Sequence, residues 1–313
     1  MQLHRSLPRR AVAPLALTIG NFDGVHLGHR AMVERLRAVA RARGLPTAVM
    51  VFEPHPREFF APATAPARLT SLRDKAEALA ALGVDHLFVC RFDARFAAQP
   101  PEAFVHDVLV ARLGVRWLLV GDDFRFGAKR TGDATLLRTL APQTGFEVDA
   151  MPTVTEAGVR ASSTAVREAL ARGDLDAAAR LMGRPYAISG RVVGGDRIGR
   201  TLGFPTANVQ LKLGRPGLAG IFAVEVHGAA AQPVVGAASL GVRPTVTDAN
   251  RPTLEVFLLD FDGDLYRRRL RVDFVHRLRD EERYPNLEAL RAAIDRDVAA
   301  TRAFFAARAV ALT

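Results

Sequence analysis

Cysteine is almost missing from this chain. Cys90 is the only one in 313 residues, so no intramolecular disulfide can form, and a cytoplasmic location is expected. Cys90 ends the apolar run 86–90 and reads as a buried strand residue, not a reactive thiol. Aromatics are also scarce, at 7% with one Trp and three Tyr, and none form a stripe interleaved with basic residues. No apolar run is long and uninterrupted enough to span a bilayer. Arg5, Arg9 and Arg10 ahead of residues 11–19 imitate a signal peptide. That apolar run is short, contains Pro14 and feeds a glycine loop that needs a strand behind it, so the signal reading is rejected. Internal repeats and low-complexity linkers are absent.

Positive charge, in contrast, is in excess. The formal net charge is +10, with Arg267, Arg268 and Arg269 the densest cluster. Nucleic acid is one partner class that such charge suggests. The arginines are scattered over predicted helix surfaces, so the charge agrees with anionic small substrates without selecting them. No nucleic-acid or membrane partner is expected, and the sequence specifies no oligomeric state. An apolar content of 49% and a charged content of 24% are ordinary for a globular protein. The length allows a large core and two domains.

The first part alternates between two patterns. Residues 47–52, 86–90, 116–121 and 146–151 are apolar runs of strand length. Between them, Ser71-Leu72-Arg73-Asp74 caps a helix over 76–82, and Pro100-Pro101-Glu102 opens one over 104–113. This alternation predicts a parallel sheet covered on both faces, with ligands at the carboxyl ends of its strands. Two short helices, 163–170 and 175–182, follow. Gly183-Arg184-Pro185 then marks a boundary, giving domains 1–184 and 185–313. Beyond it, runs at 188–193, 221–226, 234–240, 254–259 and 270–275 suggest an antiparallel barrel or sandwich. A terminal helix is expected over 287–305, entered through Pro285-Asn286.

The most informative stretch is Gly20-Asn21-Phe22-Asp23-Gly24-Val25-His26-Leu27-Gly28-His29. It lies between an apolar strand, 15–19, and an amphipathic helix, 32–39. A spacing of three at a helix start places His26 and His29 on the same side of the first turn. Backbone N–H groups and the positive dipole end converge there. Such a loop binds phosphate, and two imidazoles add hydrogen bonds to charge developing on it. Three further motifs fall at strand or helix ends. Pro54-His55-Pro56 makes a rigid wall, or simply a strand-ending turn. Asp122-Asp123-Phe124 follows a strand at the ligand-binding edge, although the phenylalanines of 121–127 suit a core equally well. Ser163 and Thr164 with Arg167 read as a helix cap or, beside the histidine loop, as a phosphate grip.

The second half carries Gly194, Gly199 and Arg200, then Gly203-Phe204-Pro205-Thr206-Ala207-Asn208. Glycine-rich loops bring backbone N–H groups to phosphate, but no Gly-Lys-Ser/Thr follows, so this is not a Walker A loop. Thr206 and Asn208 offer oxygens suited to Mg²⁺. Glu255, inside the apolar run 254–259, either faces water by strand alternation or serves as a general base.

Taken in order, these motifs resemble the bifunctional bacterial riboflavin kinase/FMN adenylyltransferase (FAD synthetase) family, nearly end to end and including Leu278-Arg279-Asp280-Glu281. The resemblance implies a Rossmann-like nucleotidyltransferase sheet followed by a six-stranded barrel with a terminal helix. It implies phosphorylation of riboflavin by ATP in the C-terminal domain. Glu255 would be the base, Thr206 and Asn208 would hold Mg²⁺, and Gly194, Gly199, Arg200, Gly203, Phe204 and Pro205 would meet ATP. It implies adenylylation of FMN to FAD in the N-terminal domain, with pyrophosphate released. There His26 and His29 would act on the α-phosphate, and Gly20, Asn21, Phe22, Asp23, Ser163, Thr164 and Arg167 would contact ATP. Pro54, His55, Pro56, Asp122, Asp123 and Phe124 would line the flavin or nucleotide pocket.

Three positions depart from the family's usual residues: Ser239 for asparagine, Phe222 for tyrosine and Arg267 for glycine. They motivate a rival reading in which only FMN adenylylation remains and the barrel merely binds flavin. A basic RNA-binding protein with a relict nucleotide fold, and a nucleotidyltransferase for another acceptor, are further rivals. The last does not account for Thr206 and Asn208.

Overall fold

The computed structural model describes residues 1–195, 198–242 and 252–310. The chain divides into two compact units, residues 1–66 with 75–162 and residues 67–74 with 163–313.

The first unit is built on a six-stranded sheet. Its strands are β1 (Gln2–His4), β2 (Leu15–Ile19), β3 (Thr47–Glu53), β4 (His86–Arg91), β5 (Val115–Gly121) and β6 (Glu147–Met151). Their order is β1-β4-β3-β2-β5-β6, and every neighbouring pair is parallel. All five residues of β2 are buried, as befits a central strand covered on both faces. Leu17 is fully buried there, and truncating it to alanine would cost about 2–5 kcal/mol. Helix α1 (Leu27–Ala42) buries Val33, Leu36 and Ala40, spaced by three and four along one face. Helix α2 (Leu72–Ala81) starts at the expected cap: the Asp74 N–H donates to Ser71 Oγ at 3.1 Å, and that hydroxyl donates to Asp74 Oδ2 at 2.7 Å. Asp133 caps α3 (Ala134–Thr144), and Gly145 ends it in the left-handed conformation.

Two features of this unit depart from the sequence expectation. The N-terminal residues, read only as basic flank, add β1 at the sheet edge. The helix expected over 104–113 begins as Pro101–Ala103 and continues as a π-helix, Phe104–Arg112. Leu113 N–H donates to the Val108 carbonyl, five residues back, at 3.0 Å. The wider turn lets Phe104, Val108 and Leu113 bury along one line.

The second unit contains α4 (Ser163–Ala171) and α5 (Leu175–Met182), then a closed antiparallel barrel. The barrel strands are β7 (Tyr186–Val193), β8 (Thr206–Val209), β9 (Gly220–His227), β10 (Val234–Val242), β11 (Pro252–Leu258) and β12 (Arg269–Arg279). Their order is β7-β8-β11-β10-β9-β12, closing back to β7. Alternation sends Ala207, Val209, Phe222, Val224, Leu240, Leu254, Val256 and Val272 into the core. Strand β8 is the element that apolar runs did not reveal: its four residues alternate directly after Pro205, too short a pattern to read. Helix α6 (Leu287–Val310) is longer than expected and packs on β9, β10 and β12. Asn286 Oδ1 caps it, accepting from Ala289 N–H at 2.8 Å. Arg279 clamps it through two hydrogen bonds to Asp297, 2.8 and 2.6 Å long. His276 stacks on Phe304 with ring centroids 4.6 Å apart.

Candidate active site

In the first unit, the loop after β2 turns through three positive-φ residues, Phe22, Gly24 and Val25, before α1 begins. His26 is the N-cap residue, without a side-chain cap bond, and the first turn of α1 carries no acidic residue. An anion bound there would meet the positive end of the helix dipole. The imidazoles of His26 and His29 stack with centroids 3.7 Å apart, and Phe22 stacks on the other side of His29 at 4.6 Å. The expectation that a spacing of three brings the rings together is met. A Cβ at Gly28 would lie 2.8 Å from the Ala161 carbonyl and 3.2 Å from the His26 ring, so glycine is needed for this approach. Asn21 Oδ1 and Thr18 Oγ1 are buried without a hydrogen-bond partner among the described residues. Such groups cost about 1–3 kcal/mol each, which a bound ligand can recover.

The other motifs of this unit have defined local tasks. His55 caps the short helix Pro56–Phe60: its Nδ1 accepts from Arg57 N–H at 3.0 Å, while Glu58 Oε2 accepts from His55 N–H at 3.1 Å. Asp122 Oδ2 accepts from the Thr153 hydroxyl at 3.2 Å, and Asp123 Oδ2 from Arg160 at 2.6 Å. These two carboxylates tie the hairpin of Thr155–Glu156 and Val159–Arg160 to the end of β5. Phe126 is core, packed on Phe104 at 5.3 Å, and Phe124 stacks on Phe126 at 5.6 Å. Sequence reasoning missed an aromatic chain: Phe52, Phe59, Phe60, Phe92 and Phe96 meet ring against ring. Phe60 is 67% exposed at its end. The consecutive phenylalanines after Pro54-His55-Pro56 were the available signal. A groove of about 600 Å³ along the π-helix, lined in part by Cys90, Arg91, Asp107 and Arg112, contains none of the expected site residues.

The remaining expected residues lie in the second unit. Ser163 and Thr164 open α4, and Arg167 Nε, one turn on, donates to the Ala67 carbonyl at 2.6 Å. In the barrel, cross-strand pairing sets a row of side chains. Asn208 stands opposite Glu255, Glu255 opposite Ser239, Ser239 opposite Ile221, and Ile221 opposite Arg279. Their sequence neighbours Ala207, Val209, Leu254 and Val256 fill the core, so the row lies on the outer face. Thr206, two residues before Asn208, shares that face. Glycines let the preceding loop close on it. A Cβ at Gly195 would come within 2.5 Å of the Asn208 amide, and one at Gly199 within 3.3 Å of Thr206 Oγ1. Gly203 has φ +90°, and Phe204 packs edge-on against Phe257 at 5.3 Å. Gly194 faces open space. The side chain of Arg200 lies outside the described residues. No group of three or more His, Cys, Asp or Glu that could hold a metal occurs among the described residues.

A helix start with paired histidines at the end of a parallel sheet, followed by a closed barrel with an oxygen-rich outer row, defines a nucleotidyltransferase joined to a barrel-type phosphate-handling module. The FAD synthetase family model matches residues 9–165, and the riboflavin kinase model matches residues 182–305. The chain belongs to the bifunctional riboflavin kinase/FMN adenylyltransferase family. It is 50% identical to the Escherichia coli K12 protein of that description, over 97% of this chain and 98% of that protein. The Pseudomonas fluorescens counterpart is 51% identical over 92% of each chain. The Haemophilus influenzae counterpart is 43% identical over 97% of this chain and 99% of its own. A solved structure described as a macrolide-efflux protein from Streptococcus pneumoniae superposes with a TM-score of 0.79 at 26% identity, covering 95% of this chain and 98% of that one. Among the described residues here, no helix is long and apolar enough to cross a membrane.

Proposed function

We propose that this protein makes FMN and then FAD, with residues 1–184 as the FMN adenylyltransferase and residues 185–313 as the riboflavin kinase. The stacked pair His26 and His29 at the start of α1 carries the first assignment. In adenylyl transfer, a phosphate oxygen of FMN bonds to the α-phosphorus of ATP, and the bond to the pyrophosphate oxygen breaks. Both imidazoles donate hydrogen bonds to the charge that gathers on the α-phosphate. Gly20, Asn21, Phe22 and Asp23 shape the nucleotide cradle. The outgoing phosphates are assigned to Ser163, Thr164 and Arg167 on their residue types. The exposed end of the aromatic chain at Phe60, next to Pro54, His55 and Pro56, suits the flat face of a flavin ring. Phe124 is assigned to the same pocket. Asp122 and Asp123 shape its rim through Thr153 and Arg160.

In the kinase reaction, Glu255 takes the proton of the ribityl hydroxyl as that oxygen bonds to the γ-phosphorus and ADP leaves. Gly194, Gly199, Arg200, Gly203, Phe204 and Pro205 form the ATP loop. Thr206 and Asn208 present neutral oxygens beside a carboxylate. This hard-oxygen set fits Mg²⁺ once phosphate oxygens complete it. Bound there, the ion offsets the phosphate charge. The net charge of +10 and the absence of a membrane-length helix among the described residues agree with anionic small-molecule substrates and a cytoplasmic enzyme.

The test is to supply riboflavin or FMN separately, with ATP and Mg²⁺, to the purified protein. FMN from riboflavin and FAD from FMN are expected. FAD from FMN without FMN from riboflavin would select the adenylyltransferase with a merely flavin-binding barrel. Formation of neither product overturns both readings.

A further inference from the structure

The Glu281 carboxylate is seated on the barrel's outer face beside the row that contains Glu255. Ser239 Oγ donates to Glu281 Oε1 at 3.1 Å. A Cβ at Gly241 would overlap the Glu281 carboxylate, so only glycine at 241 leaves room for this seat. Ser239 and Gly241, two residues apart on β10, share one face, and Ser239 stands directly opposite Glu255 on β11. The Glu281 carboxylate thus lies over β10, and β10 and β11 are separated by the usual strand spacing of about 4.8 Å. Its backbone is held nearby: the Arg279 guanidinium donates to the Asp280 carbonyl at 2.9 Å and to Asp297.

We infer that Glu281, held by Ser239 on the glycine seat, binds a secondary hydroxyl of the sugar-alcohol chain whose terminal hydroxyl reacts at Glu255. The inference rests on the kinase reading above. A polyol with its end at Glu255 must run along the barrel face, and a carboxylate one strand away accepts a hydrogen bond from a hydroxyl further up the chain. A flavin ring without the chain has no hydroxyl to offer, and its one N–H, at N3, lies remote from N10, where the chain is attached. The arrangement therefore selects for the polyol and fixes which hydroxyl reaches the base.

Glu281→Gln and Gly241→Ala are assayed for FMN formation, with riboflavin and ATP varied in turn. Lumiflavin, the ring system without the polyol, serves as a competitive inhibitor. Each variant should raise KM for riboflavin about tenfold, the loss expected for one hydrogen bond to a charged group. KM for ATP and the lumiflavin inhibition constant should stay at their wild-type values. The double variant should be no worse than either single one, because both remove the same contact. An unchanged riboflavin KM in Glu281→Gln overturns the inference, and so does an equal rise in the lumiflavin constant. Failure of the kinase reading shows differently: the unaltered protein would form no FMN, or Glu255→Gln would retain full FMN formation.

Discussion

The proposed phosphate sites of the two units fall at different places on their sheets. In the parallel sheet, β2 is buried at every residue, so neither face can receive a ligand and chemistry is confined to the strand ends. There the chain leaves β2 through positive-φ residues and enters α1 at His26. In the barrel, β11 alternates, with Leu254, Val256 and Leu258 inside. Its outward-facing side chains are free of the core, and register across strands assembles Asn208, Glu255 and Ser239. A parallel sheet places function in its loops, whereas an antiparallel barrel can place it on its strands.

Substitutions at the two centres give the largest effects that can break this comparison. Glu255→Gln should cut FMN formation by about 10²–10⁴-fold and leave FAD formation from supplied FMN in place. His29→Ala should do the reverse, lowering FAD formation by about 10²–10³-fold. Separate product measurements decide; equal loss of both products in both variants would end the division of labour.

Next in size is the clamp on the barrel helix. Asp297 is buried and doubly bonded to Arg279. Asp297→Ala strands the guanidinium and should lower stability by roughly 3 kcal/mol, read from urea denaturation. A shift below about 1 kcal/mol would mean that α6 is held by its apolar face instead.

A smaller effect concerns pH. Burial pushes the Asp273 carboxyl above its ordinary range, against the opposing pull of Arg271 and His227, with Glu225 adding to the rise. A carboxyl with a raised folded pKa binds its proton more tightly in the folded state. Its contribution to stability is complete below the unfolded value near pH 4 and is lost as pH climbs through the folded value. Asp273→Asn, fixed in the neutral form, should flatten that decline in denaturation midpoints measured from about pH 4 upward. An identical slope in both proteins would show that the carboxyl is not perturbed.

The smallest effect is chemical. Burial raises the Cys90 thiol to about 12, so a disulfide reagent should label it only after denaturation. Rapid labelling of the native protein would show that the groove along the π-helix opens.

Much of this was legible in the sequence because the signals are local. The central strands, the Ser71 cap, the histidine loop and α5 follow from apolar runs, caps and a spacing of three. Elements set by distant partners were less readable. Strand β1 exists because β4 offers an open edge. Strand β8 exists because β7 and β11 flank four residues whose alternation is too short to read alone. The π-helix follows from a burial line set by the surrounding core. Asp122 and Asp123 were readable as residues, but their hydrogen-bond partners were not, since Thr153 and Arg160 lie 31 and 37 positions away.

By itself the sequence determined which chemistry the chain carries, because glycine loops, helix starts and paired imidazoles act over a few consecutive residues. Tertiary structure alone decided that Glu255 faces outward beside Asn208 and Ser239, and that Glu281 reaches a seat forty residues back in the chain. Strand register fixes such neighbours, and register is the outcome of the whole barrel closing on its core.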